Sequence, residues 1–99
     1  MRNVLHVRAA EQQLVVVVEP WADEFVLSRG EAGRVVAVHP NVLSELEVEI
    51  VRDQLIVTIN DAGATFEFWR NERLEYSTTN AIPYWRSALD PGSQQGQSL

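Results

Sequence analysis

Residues 45–60 carry the clearest half-buried strand pattern of this chain, and residues 14–31 its most informative stretch, two short strands joined by a corner. Leu46, Val48 and Ile50 alternate strictly with Glu45, Glu47 and Glu49, the period-2 pattern of a strand with one face in a core and one in water. Arg52 and Asp53 then form a two-residue turn into a second apolar strand, 55–60. That loop length sets Ile50 opposite Leu55, Val48 opposite Val57 and Leu46 opposite Ile59. All six apolar side chains then share one face, which the pattern assigns to the core. The charged side chains take the other.

The rest of the chain repeats the theme. Further strands are expected at 4–8, 14–19, 24–28, 34–39, 65–70 and 74–76, divided by turn residues such as Pro20, Gly30, Gly33, Pro40, Gly63 and Asn71-Glu72. Residues 14–18 are apolar on both faces, as expected of a central strand, and the strand at 24–28 is its hairpin partner. Seven to eight short strands and no helical period of ten residues predict an all-β fold, an antiparallel β-sandwich or small open barrel. One helical turn at most fits residues 41–45. Residues 1–89 form the single β-sandwich domain of this reading. Residues 90–99, rich in Pro, Gly, Ser and Gln, read as a disordered C-terminal tail.

Composition narrows the function classes. Ninety-nine residues with 45% hydrophobic and 22% charged content suit one soluble globular domain. No apolar run exceeds five residues, so no membrane span or secretory leader is expected, and a cytoplasmic address is the default. There is no cysteine, which removes disulfides and thiolate chemistry. Fourteen acidic residues against eight basic ones give a net charge of −6, a field that repels phosphate backbones and anionic lipid. Nucleic acid and membrane are therefore not expected partners. All eight basic residues are arginine, scattered without a cluster.

Residues Glu19-Pro20-Trp21, followed by Phe25-x-Leu27-x-x-Gly30-Glu31, resemble a loose group of small uncharacterised bacterial proteins. These share an E-P-W corner, a strand ending in a G-E turn and later L-x-V hairpins. The likeness spans roughly residues 14–74, by the extent of the shared pattern. It implies no activity. The F-x-L-x-x-G-E turn followed by V-x-V is also similar to a hairpin of immunoglobulin-like sandwiches, which implies architecture and not function. Ala22 departs from the group, which often has glycine after the corner.

Catalytic chemistry finds little support. His6 and His39 fall on separate strands with no metal-ligand spacing, and read as edge or surface histidines. The glutamate stripe at 45, 47 and 49 reads as a solvated sheet face. No cofactor is expected, and the chain reads as non-enzymatic. The aromatics carry the binding candidates. The alternation sets Trp69 on the same face as Glu67, Thr58 and Ile56, opposite Phe66 and Phe68. A two-residue turn at Asn71-Glu72 would add Leu74 and Tyr76 to that face; a three-residue turn would send both to the core.

Such a face serves as a protein interface or is covered by the apolar segment around Tyr84 and Trp85. Trp21 caps one end of the sandwich or, with Glu19 and Trp85, lines a ligand cleft. The leading expectation is a protein–protein interaction module or homodimer. A small-molecule-binding β module is the second reading. An acidic inhibitor of immunity or anti-defence type, resting on charge, is the third.

Overall fold

The computed structural model describes residues 2–39, 46–61 and 63–78. They form eight strands: β1 (Arg2–Arg8), β2 (Leu14–Glu19), β3 (Asp23–Leu27), β4 (Ala32–Val38), β5 (Leu46–Val51), β6 (Gln54–Ile59), β7 (Thr65–Arg70) and β8 (Arg73–Ser77). Two four-stranded sheets result, ordered β1-β4-β7-β8 and β3-β2-β6-β5. The all-β sandwich expected from the strand pattern is thus present. Residues 79–99 lie outside the described part, and the proposed tail with them.

Every pairing is antiparallel except that of β2 with β6, which is parallel in the register Val16–Leu55 and Val18–Val57. β2 lies between β3 and β6, and Val16, Val17 and Val18 are all buried. Its run of apolar residues is therefore that of an inner strand covered on both faces. The β5–β6 hairpin takes the register that its loop length dictates, with Leu46, Val48 and Ile50 opposite Ile59, Val57 and Leu55. Arg52 adopts φ 58° at its tip.

The sheets meet through inward rows of alternating residues. Val16 and Val18 from β2, Phe25 and Leu27 from β3, Val35 and Ala37 from β4, Leu55, Val57 and Ile59 from β6, and Phe66 and Phe68 from β7 make up most of the core. Phe25 stacks on Phe68 with ring centroids 4.1 Å apart and an interplanar angle of 8°. It also meets Tyr76 of β8 at 5.7 Å. These rings fix β3 over the β7–β8 end of the other sheet, so the β1 and β5 edges flank the opposite side.

The β7–β8 hairpin turns on Asn71 and Glu72, both at positive φ (47° and 71°), the primed two-residue geometry. Arg70 pairs with Arg73 and Trp69 with Leu74, so Leu74 joins the outer face of Trp69. A bulge at Phe68/Trp69 then shifts the register, and Tyr76 pairs with Phe68. Tyr76 consequently turns inward, 5.6 Å from the ring of Phe66. The two-residue turn sends only one of the two residues to the outer face, because the bulge reverses the alternation between them.

The E-P-W corner has an architectural role. The Glu19–Pro20 peptide is cis, and Ala22 takes φ 63° without a glycine. Trp21 lies 4.8 Å from Phe66 and packs against the core, closing one end of the sandwich.

Candidate interaction surface

On the outer face of the first sheet, strand register places His6, Arg34, Trp69 and Leu74 in one row. The Arg34 guanidinium sits 4.6 Å from the centroid of the Trp69 ring, a cation–π contact. Trp69 Nε1 donates to Glu67 Oε1 at 2.9 Å, and the same oxygen accepts from Arg2 at 2.5 Å. Trp69 is therefore half-buried, with one face covered and its only donor used. His6, Arg8, Arg34, Trp69, Asn71 and Glu72 line a shallow cavity of about 210 Å³. The two arginines and the Asn71 amide would suit an oxyanion. Glu72, 3.8 Å from Arg34, opposes that use.

The expected Trp69–Ile56 face does not exist. Ile56 is on β6, in the other sheet, between Val17 and Glu49. Strands β6 and β7 follow one another in sequence but belong to different layers, so the outer sides of the two residues face away from each other. Glu19 ends β2 opposite Thr58, and Trp21 follows it at the capped end. The Trp21 indole nitrogen is buried with no hydrogen-bond partner. Tyr84 and Trp85 lie outside the described residues.

The G-E turn explains itself through Arg70. Gly30 adopts φ 87°, and Glu31 Oε1 accepts from the Ser28 backbone N–H and from Arg70 Nη1, both at 2.8 Å. Arg70 also donates to Val26 O at 2.7 Å and to Glu75 Oε1 at 2.5 Å, tying β7 to β3, β8 and the β3–β4 turn. The Ser28 N–H, with help from Arg70 and against some desolvation, holds the Glu31 carboxyl below its usual range. A lowered folded pKa means stabilisation that is present above the ordinary glutamate value of about 4.3 and lost as pH falls through the folded value. Urea midpoints of the wild type should fall below about pH 5, and Glu31→Gln should fall less steeply there. Parallel acid limbs for the two proteins would refute the assignment.

His39, read from sequence as an edge or surface residue, is buried at the end of β4. Its Nε2 lies 2.9 Å from Asp61 Oδ1, which also accepts the Gly63 N–H at 3.2 Å. The Asp61 turn anchors the histidine to the β6–β7 connection. Nothing in the spacing of 39 and 61 announces this contact. Among the described residues no group of three His, Cys, Asp or Glu could hold a metal ion, and no helix is long and apolar enough to cross a membrane.

The largest departure from the expected core is on β5. By register its apolar row points inward beside Leu55 and Val57, yet Val48 is 48% exposed and Ile50 73% exposed. The physical reason is position. β5 is the outermost strand, beyond the reach of the opposite sheet, and only Leu46 packs against the core. Glu47 and Glu49 alternate with these residues on the outer side. Alternation shows which side chains share a face but not whether anything covers that face.

These features define a small two-sheet sandwich with an apolar, acid-flanked strand at an edge that has no further strand neighbour among the described residues. No protein family, no curated protein and no solved structure matches the chain.

Proposed function

We propose that this chain is a protein-binding module, not a catalyst, and that it engages its partner through the β5 edge. The observation that carries this reading is the exposure of Ile50 and Val48 on a strand whose pattern is built for burial. An edge strand presents unpaired N–H and C=O groups, and natural proteins usually blunt such edges with proline, lysine or an inward charge. β5 has none of these on its inward row, which is Leu46, Val48 and Ile50. Strand addition would give it main-chain hydrogen bonds for affinity and alternate side-chain contacts for specificity. Trp69, the aromatic that the sequence favoured, is less suited, because Arg34 covers it and Glu67 holds its indole.

Affinity capture from a bacterial lysate with wild-type and Ile50→Lys baits tests the reading. Ile50 is exposed, so the variant should fold, as circular dichroism would verify. Proteins held by the wild type, further copies of this chain included, should be lost from the variant. Identical capture by two folded baits would overturn it.

A further inference from the structure

Resting on that reading, we propose that the partner of β5 is β1 of a second copy, in a closed two-fold dimer. Each sheet of one protomer would run on into the opposite sheet of its partner. Four features of the fold lead there. First, β1 and β5 are both outermost, each with one strand neighbour among the described residues, β4 and β6 respectively. Both lie on the same side of the sandwich, because the Phe25–Phe68 stack places β3 over β7 at the other side. A two-fold axis parallel to the strands therefore brings β1 of each protomer to β5 of the other.

Second, the directions agree. β1 and β7 run the same way, both antiparallel to β4. The short connection from β6 to β7 reverses direction between layers, and β5 is antiparallel to β6, so β5 runs with β1. An axis along the strands preserves direction, and the joint is a parallel pair.

Third, the side chains match. Setting Leu5 beside Leu46 puts His6 beside Glu47, Val7 beside Val48, Arg8 beside Glu49 and Ala9 beside Ile50. Inward apolar residues meet inward apolar residues, and outward bases meet outward acids. The alternative of β5 against its own copy fails: each antiparallel register that overlaps four or more residues and keeps both inward rows on one face sets glutamate against glutamate, and the remaining registers set glutamate against the apolar row.

Fourth, the backbones match in the same offset. Ala9 N donates to Glu31 O on the β4 side, so by alternation Arg8 and His6 turn their amide groups to the open edge. The two-residue β5–β6 hairpin makes Val51–Gln54 its hydrogen-bonded pair, which leaves the groups of Leu46, Val48 and Ile50 outward. In a parallel ladder a residue bonds the two neighbours of the one beside it. His6 thus meets Leu46 and Val48, and Arg8 meets Val48 and Ile50.

A charge-swap experiment by analytical ultracentrifugation tests the dimer at about 100 μM. Wild type should sediment at twice the chain mass. Glu47→Arg/Glu49→Arg and His6→Glu/Arg8→Glu should each weaken self-association by about 100-fold or more, since like charges then face each other. Mixing the two variants should restore a dimer, because both joints of the mixed pair become complementary. A monomeric wild type overturns the proposal, as does a dimer indifferent to both swaps. If the wild type is monomeric while capture still depends on Ile50, the β5 edge serves another protein and only the identity of the partner falls. If capture is also indifferent to Ile50, the binding-module reading falls too.

Discussion

Phe68→Ala is expected to cost about 3–5 kcal/mol, the range for removing a fully buried phenylalanine. Phe68 is wholly inaccessible to solvent, and its ring stacks on Phe25 across the two layers. Truncation takes away the contact that seats β3 on β7 and opens a void between the sheets. Small domains have only about 5–15 kcal/mol of stability in total, so the variant should be partly unfolded near physiological temperature. Urea denaturation against the wild type measures the difference. A loss below about 1 kcal/mol would mean that this ring does not join the layers.

The second large effect comes from adding one carbon. Gly33→Ala places a Cβ 3.0 Å from the Phe68 Cζ and 3.1 Å from the Trp69 carbonyl oxygen. In an ordinary strand, alanine for glycine stabilises by reducing the freedom of the unfolded chain, by about 0.4–1 kcal/mol. Here the new methyl presses on the tip of a ring that Phe25 already holds by stacking, and on backbone. Overpacking of that kind costs about 1–3 kcal/mol. Gly33→Ala should therefore lower the urea midpoint, and a raised midpoint would show that the stack yields.

The same residues explain what the sequence made legible. Alternation and loop length determined the β5–β6 register, and the uninterrupted valines of β2 marked an inner strand. Which layer a strand joins was a different matter. β6 and β7 carry the same kind of alternation whether they pair or pack face to face, so alternation alone gives Ile56 and Trp69 one face although they occupy two. A single inserted residue escaped in the same way: the bulge beside Phe68 inverts the side of Tyr76 without any glycine or proline to signal it.

The candidate surface was half visible. Sequence gave Leu46, Val48 and Ile50 a common face, but their exposure depends on β5 being last in its sheet, a property of the whole topology. Arg34 over Trp69 was equally hidden, since the two residues are far apart in sequence and become neighbours only through the β4–β7 register. Glu31 and Arg70 belong to the same class. The G-E turn stood out as a motif, while its partner stands 39 positions further on.

The parallel pairing of β2 with β6 has a consequence for synthesis. β2 is the most apolar strand of the chain, and one of its two ladders requires residues 54–59. Until those residues leave the ribosome, four consecutive valines have an open flank that only a later part of the chain can close. The complete β2 ladder is thus denied to any fragment that ends before residue 54, and closing it joins distant parts of the chain, on the slower timescale of non-local β topologies.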